Sequence, residues 1–567
     1  MENADVARVL AEVADLLDLT GGSPFRARAY RQAAQVVDLL PTPISELWRK
    51  GELTSQPGIG EHMAAHVSEL LSTGVLPEHR RLSAQVPPGV LEMLRLEGMG
   101  PKSVALAWKS LGLATIAELE AACRDGRLEA LPRMGKKRVA NLLAAIERFR
   151  ARGGRTPLHR ALPAAEALLA RLRAVRGVAR AEIAGSLRRR RETIGDIDLL
   201  AAATDPGPVM KALTGAPDVA QLLGSGPTKS SVRLKGGLQV DLRVLPPESF
   251  GAALLYFTGS QAHNIALRTR GVRLGLKLNE YGVFDRRGRR LGGATEEEMY
   301  ASVGLAWIPP ELREAKGEIE AAEKGTLPAL IEEADILGDL HVHSKRSSDA
   351  RATLEELAEE GARLGRRYLA ITDHSRSRPL GVGAGDLPTQ IRAIHEADAA
   401  ARGRPRLLTG LEVDILADGT LDLPREALAK LDVVVASVHS HFAQPAREMT
   451  ARMVRAIRSG VVDVLGHPSG RQIGARDAYA FDLEKVLDAA REEGVALELN
   501  AMPERLDLTD AGCRLAKARG VRVAISTDAH VASQLGNLRY GVWTARRGWL
   551  EKGDVLNAAP WRKIPHP

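Results

Sequence analysis

Hydrophobic positions along the chain change their period more than once. From residue 1 to about 150 they recur every three to four residues between Gly and Pro breaks, which predicts helices. The first of these, MENADVARVLAEVADLLDL, has acids interspersed and reads as an amphipathic helix, not a signal peptide. ARGGRTPLHRALP (151–163) reads as a linker. The pattern then turns to alternation, and ARAEIAGSL, GDIDLLAAA and LQVDLRVLP read as strands. Residues 250–310 mix helical and hairpin spacing, with LNEYGVFDRRGRRLGG a hairpin, and the polar residues 311–335 read as a connector. Beyond them, seven short apolar runs return about every 30 residues, the length of one strand–helix unit.

Those runs end in residues that bind metals: His341 and His343, His374, Glu412, His439, His467, Glu498 with Asn500, and Asp528 with His530. A parallel barrel carries its active site at the C-terminal ends of its strands, where these side chains fall. Any one histidine is more often a surface or core residue than a ligand. The whole ladder is what makes a metal-dependent barrel hydrolase the reading. His395, His441 and His566 fit no strand end and are expected to be solvated.

A chain of 567 residues exceeds one core, and about three to five domains are expected. Net charge is +8, unevenly spread: residues 331–567 hold 33 Lys+Arg against 34 Asp+Glu, leaving 46 against 37 before them. The basic excess therefore lies in the N-terminal part, where a polyanion partner or a general arginine bias explains it equally well. The two cysteines, Cys123 and Cys513, show no paired spacing, which fits a reducing compartment. No apolar run is long enough to span a membrane, and a cytoplasmic protein with no membrane partner is expected.

Three breaks in the N-terminal part share a form. QPGIGEHMAAHVSELL has Gly58 and Gly60, LEGMGPKSVALAWKSL has Gly98 and Gly100, and LPRMGKKRVANLLAAI keeps Gly135. Each is a glycine turn opening an amphipathic helix, and such turns present backbone N–H groups to phosphates. One turn alone is an ordinary connection; three in the basic part point to helix-hairpin-helix contacts with a nucleic-acid backbone. In GSLRRRRETIGDIDLL, Asp196 and Asp198 lie two apart on a strand and so share a face. Asp241 in LQVDLRVL supplies a third carboxylate. A bare pair of acids is more often a solvated edge, but Gly185-Ser186 upstream, with an arginine run between, suits a triphosphate. Two Mg²⁺ ions roughly 4 Å apart are the usual way to hold three such carboxylates for phosphoryl transfer.

These motifs, with YFTGSQAHN (256–264) and LNEYG (278–282), resemble the family X DNA polymerases across nearly all of residues 1–325. The resemblance implies that Asp196, Asp198 and Asp241 bind Mg²⁺ or Mn²⁺, with Asp241 taking the primer hydroxyl proton. Gly185, Ser186, Arg189 and Gly195 would contact the dNTP triphosphate. Tyr256, Phe257 and Gly259 would shape the sugar pocket, Asn264 would reach the base edge, and Arg268 would lie near the templating base. Three departures stand out. His66 and His62 replace lysines of the lyase branch, so imine chemistry is not expected. Arg190 replaces a usual glycine, and Gln239 stands where animal members carry arginine.

LGDLHVHS, AITDHS, GLEVDIL, VVASVHS, DVLGHPSGR and ISTDAH resemble the polymerase-and-histidinol-phosphatase (PHP) domain, as fused in the bacterial branch of family X. Its pattern groups His341, His343, Glu412 and Asp528 around one metal. Glu412, His439 and His467 would hold a second, and Asp349, His374 and His530 a third. Mixed imidazole and carboxylate donors suit Mn²⁺ or Zn²⁺, and bound metals would lower the pKa of a water that attacks a phosphodiester. Asn500 with Arg471 and Arg505 would position the scissile strand.

The expected architecture is multidomain: an all-α helix-hairpin-helix N-terminal region, an α+β nucleotidyltransferase palm and a C-terminal distorted (β/α)7 PHP barrel. Boundaries fall at 1–85 (DNA-end binding, lyase-type), 86–155 (helix-hairpin-helix), 156–248 (palm), 249–325 (nucleotide-selecting thumb) and 336–567 (PHP). The implied function is a DNA-directed DNA polymerase that fills short gaps in DNA repair. Its 3′→5′ exonuclease would also act at abasic sites or on 3′-phosphates. The expected partners are gapped or nicked DNA and dNTPs, and a monomer is expected. The alternative is a template-independent nucleotidyltransferase with a phosphatase domain.

Overall fold

The computed structural model describes residues 3–40, 44–56, 58–94, 96, 98–132, 134–152, 155–473 and 476–562. The chain forms two compact units: Met1–Thr156 with Ala161–Ala184 and Gly195–Leu254, and Pro157–Arg160 with Gly185–Ile194 and Leu255–Pro567. His566 and the Gly153–Gly154 step of the expected linker lie outside the described residues.

In the first unit the helical period holds, beginning with Asn3–Thr20 and Pro24–Leu39. One apolar cluster runs from Val6 through Val37, Val67 and Leu119 to Ile146, so helices on both sides of residue 85 share a core. The five-stranded sheet runs in the order Val178–Ile183, Asp196–Ala203, Gln239–Leu245, Lys229–Leu234, Val219–Ser225. Its second and third strands are parallel and its other pairs antiparallel. Alternation explains the central strands: Ile197 and Leu199 are buried while Asp196 and Asp198 take the other face. The last two strands were not expected. Val219–Ser225 is largely exposed and lacks the alternation that marks a strand.

One further expectation fails and another is refined. The linker 151–163 is mostly helix, with Lys136–Arg152 before it and Leu158–Arg173 taking Pro163 inside. Leu158, Ala161, Leu162 and Ala165 are buried at helical spacing, and that outweighs one proline near the helix start. The connector 311–335 is partly interior. Arg313 is fully buried and grips Glu296 through Nη1–Oε1 at 2.6 Å and Nη2–Oε2 at 3.2 Å. Arg188 takes the same carboxylate at 2.7 and 2.8 Å, and Trp307 Nε1 donates to it at 3.1 Å. Burial works to raise the Glu296 pKa, but the two guanidiniums outweigh it and hold the carboxyl well below the usual range. Glu296→Ala leaves Arg313 buried and unpaired, which is expected to cost about 3–5 kcal/mol. Urea unfolding followed by far-UV circular dichroism checks this.

The second unit contains the predicted hairpin, extended to three antiparallel strands: Lys277–Asn279, Gly282–Phe284 and Arg290–Gly292. After it comes the barrel. Seven parallel strands lie in chain order: Gly338–Val342, Tyr368–Ile371, Arg406–Asp414, Val433–Ser437, Val464–Leu465, Ala496–Asn500 and Val523–Ser526. The last approaches the first where Asp528 N donates to the His341 carbonyl at 2.9 Å and His343 N to that of Ala529 at 2.8 Å. A period of two explains the interior. Leu408, Val433, Val435, Ala496 and Ala524 form an apolar floor, and the same strand faces rise to Glu412, His439, Glu498 and Asp528. Among the described residues no helix is long and apolar enough to cross a membrane.

Candidate active sites

In the first unit, the parallel register sets Asp198 opposite Asp241 and Asp196 opposite Gln239. Carboxylate oxygens of Asp196, Asp198 and Asp241 lie within 4.8 Å of one another. Burial and the neighbouring Asp241 push Asp196 above the usual carboxylate range, a repulsion that a cation in the cluster relieves. Gln239 Nε2 donates to Asp241 Oδ1 at 3.0 Å, and the buried Lys229 places Nζ 4.0 Å from Oδ2. Lys229 went unnoticed in the sequence because its strand did. Gly195 faces Arg155, whose Nη1 lies 3.3 Å from where a Cβ would sit.

The hairpin glycines lie just before helices. Gly58 and Gly98 have φ of +98° and +86°, and Gly60 and Gly100 cap helices Glu61–Thr73 and Pro101–Leu111 without a side-chain cap bond. Gly135 is exposed before Lys136–Arg152, from which Arg138 donates to the Gly98 carbonyl at 3.1 Å. A cleft of about 1100 Å³ joins Gly98 and Gly100 to Arg155, Gly195, Arg233 and Lys235. His66 Nδ1 lies 2.6 Å from the Tyr30 hydroxyl, and His62 is exposed.

In the second unit, Gly185 (φ +63°) and Ser186 begin the short helix Gly185–Arg188. Arg189 reaches Glu314 Oε1 with Nε at 3.1 Å and the Thr258 carbonyl with Nη1, beside Gly259. The Tyr256 and Phe257 rings meet edge-on at 4.9 Å. Asn264 Nδ2 donates to the Tyr256 carbonyl at 2.7 Å, and Arg268 is one helical turn further on.

The barrel ligands converge. Glu412 is buried at the centre, with His374 Nδ1 at 2.7 Å, His467 Nε2 at 3.0 Å, His439 Nε2 at 3.2 Å, His341 Nε2 at 3.5 Å and His343 Nε2 at 3.6 Å. Asp528 Oδ1 lies 3.2 Å from His343 and 3.6 Å from His341. Asp349 faces His374 at 3.3 Å and His530 at 3.5 Å. Potential ligand clusters form as His341–His343–Glu412, His374–Glu412–His439 and His343–His374–His530, so His343 and His374 each bridge two groups that the sequence pattern kept apart. Asp528 holds φ of +54°, a conformation costing about 1–3 kcal/mol that is characteristic of functional sites.

Outer contacts aim the rings inward. His341 Nδ1 faces Glu498 Oε1 at 2.7 Å, His343 Nδ1 faces Ser347 Oγ at 3.1 Å, His530 Nδ1 faces the Asp528 carbonyl at 2.7 Å, and His439 Nδ1 faces Asp414. Such partners fix the tautomer that leaves Nε2 for a metal. Glu498 and Asn500, read as strand-end ligands, thus serve the ligands instead: Asn500 Nδ2 donates to Asp528 Oδ2 at 3.1 Å. Sequence reasoning missed Asp414 and Ser347; the only signal for Asp414 was its position two after Glu412 on one strand. Arg505 Nε lies 3.6 Å from Asp528, whereas Arg471 turns to Glu192 and the Leu506 carbonyl. Exposed His395 and His441 stand outside the site.

Metal donors are the fitting reading of this chemistry, since the buried Glu412 Oε2 and His374 Nδ1 face each other at 2.7 Å without hydrogen-bond geometry. Burial works to lower the His374 pKa, but Asp349 and Glu412 outweigh it and lift it to about 10. Burial likewise opposes, and Glu412 and Asp414 prevail, in raising His439 to about 9.

Residues 1–76 match the helix-hairpin-helix domain family and 90–148 the SAM-like helix-hairpin-helix tandem. Residues 253–314 match the DNA polymerase beta thumb and 339–502 the PHP domain. The chain is 36% identical to the DNA polymerase/3'-5' exonuclease PolX of Bacillus subtilis, over 100% of its own length and 99% of that protein's. It is also similar to a probable phosphatase of Thermoanaerobacter sp., at 32% identity over 39% of this chain and 89% of that one. A probable phosphatase of Caldanaerobacter subterraneus is 34% identical over 35% of this chain and 78% of its own. Helical hairpins, a three-aspartate sheet and a histidine-rich barrel define a polymerase joined to a metal-dependent phosphoesterase. The chain belongs to the family X DNA polymerases that carry a C-terminal PHP domain.

Proposed function

We propose that this chain fills short gaps during DNA repair at Asp196, Asp198 and Asp241 and trims 3′ ends at the barrel. The observation that carries the reading is that one chain holds two separate donor sets, neither sharing a residue with the other. The exposed glycine turns and the basic cleft would grip the DNA backbone, so binding weakens as salt rises. Gly185, Ser186, Arg189 and Gly195 would hold the triphosphate, and Tyr256, Phe257 and Gly259 the sugar. Asn264 and Arg268 would face the base pair. Asp241, steadied by Gln239 and Lys229, would accept the primer 3′-hydroxyl proton. In the barrel, Asn500 and Arg505 flank Asp528, where a scissile phosphate would sit.

When bound, Mg²⁺ or Mn²⁺ at the aspartates and Mn²⁺ or Zn²⁺ in the barrel would neutralise phosphate charge and acidify the attacking group. The three barrel groups would be His341, His343, Glu412 and Asp528; Glu412, His439 and His467; and Asp349, His374 and His530. The probable phosphatases among the relatives favour a second activity of the barrel, removal of 3′-phosphates. Extension of a primer across a gap, against extension of a bare single strand, tests the polymerase reading. Preference for the bare strand would support a template-independent nucleotidyltransferase instead.

The raised histidines predict a pH dependence. Near neutral pH the metal-free His374 and His439 carry protons, because their pKa values lie above the solution pH. A metal must displace those protons, so Mn²⁺ affinity rises with pH up to about 10. Adding Mn²⁺ at pH 7.5 in weak buffer should release at least about one proton per ion. No release would mean that these rings are already neutral.

A further inference from the structure

The stretch Gly185–Ile194, which the proposed function gives to the triphosphate, is held by the barrel at three points. Arg190 sits at φ +55°, where a residue with a Cβ is disfavoured and glycine is at ease. Its guanidinium carbon lies 4.1 Å from the centre of the Trp543 ring. Arg547, four residues on along the helix Leu538–Arg547 and so on the same face, donates to the Arg189 carbonyl at 2.8 Å. It also reaches Glu314 Oε1 at 3.1 Å, the oxygen that takes Arg189 Nε, and Asp510 Oδ2 at 2.8 Å. Arg471, from the loop after the His467 strand, donates to Glu192 Oε2 at 2.8 Å. The Arg189–Arg190 step is thus fastened to the hydrolase domain through one backbone carbonyl and one side chain.

We propose that this helix face is a brace for the polymerase nucleotide loop, with Trp543 and Arg547 acting as positioning residues for dNTP addition although they belong to the PHP barrel. The left-handed backbone at Arg190 is the central observation. A strained arginine persists where neighbours over-determine it, and here the Trp543 ring and the Arg547 bond do so. Arg191 N donates to the Ser186 carbonyl at 3.0 Å within the same turn, so relaxation at Arg190 carries to the residue assigned to the phosphates. Losing the stack would remove one of the contacts that compensate the strain. The loop would then sample other conformations, and nucleotide binding would weaken more than the chemical step. The proposal rests on the assignment of Gly185 and Ser186 to the triphosphate.

The test uses the full-length protein with Trp543→Leu, Trp543→Tyr and Arg190→Gly. Amide hydrogen exchange over residues 185–194 should speed up in Trp543→Leu and stay near wild type in Trp543→Tyr, which keeps an aromatic face. In gap filling, Trp543→Leu should raise the dNTP KM about three- to tenfold with a smaller change in kcat, a size set by one cation–π contact. Arg190→Gly should leave KM close to wild type, because it removes the strain together with the stack that compensates it. Mn²⁺-dependent nuclease activity should be retained by all three. In Trp543→Leu, unchanged exchange, an unchanged KM, or nuclease activity falling in step with polymerisation would overturn the brace. Failure of the underlying assignment looks different: Ser186→Ala would leave KM unchanged while exchange still rose in Trp543→Leu.

Discussion

Replacing Asp198 and Asp241 together by alanine is expected to lower dNTP addition at least about 10³-fold, with Mn²⁺-dependent nuclease activity retained. The two residues face each other across a parallel register, and their loss leaves Asp196 as the only carboxylate of the cluster. It also removes the group assigned to the primer hydroxyl proton. The sheet should survive, because Ile197, Leu199, Val240 and Leu242 form its buried face and are untouched. Primer extension on gapped DNA, read beside nuclease activity from the same preparation, measures both effects. Comparable loss of both reactions in a folded variant would mean that the aspartates serve more than the polymerase.

The reciprocal pair, His341→Ala with His343→Ala, is expected to lower nuclease activity at least about 10³-fold and to leave gap filling in place. Both imidazoles point Nε2 towards Glu412 and Asp528, so their removal opens one whole side of the donor set. Loss of His341 leaves Glu498 with its bonds from His467 N at 2.5 Å and Asn500 Nδ2 at 3.3 Å, which limits the damage to the barrel. Glu412→Gln is a milder check. It keeps the volume, removes the charge facing five imidazoles, and should impair the nuclease nearly as much.

The barrel was the most legible part of the chain. Its strands are short and buried on both faces, and each ends in chemistry, so apolar runs and ligands marked the same positions. The paired aspartates were legible for a similar reason: a period of two puts Asp196 and Asp198 on one face wherever the strand lies. The edge hairpin Val219–Ser225 and Lys229–Leu234 was not legible, because an exposed edge strand need not alternate, and Lys229 was lost with it. Interior polar networks also escaped. Arg313, Glu296, Glu318 and His263 look like surface residues until their partners, 17 to 108 positions away, are brought to them. Glu498 was noticed, but as a ligand, because the His341 ring that it supports lies 157 positions away. Arg190 was noticed as a departure from glycine, but only φ and the Trp543 ring show what the departure does.

One chain building phosphodiesters at one metal centre and breaking them at another is the central claim. Its most direct test incubates 5′-labelled gapped DNA with Mn²⁺ and dNTPs, using wild type and the two double variants in parallel. Asp198→Ala/Asp241→Ala should only shorten the labelled strand, and His341→Ala/His343→Ala should only lengthen it. A folded variant of either pair that lost both reactions, or kept both, would contradict the two-site assignment.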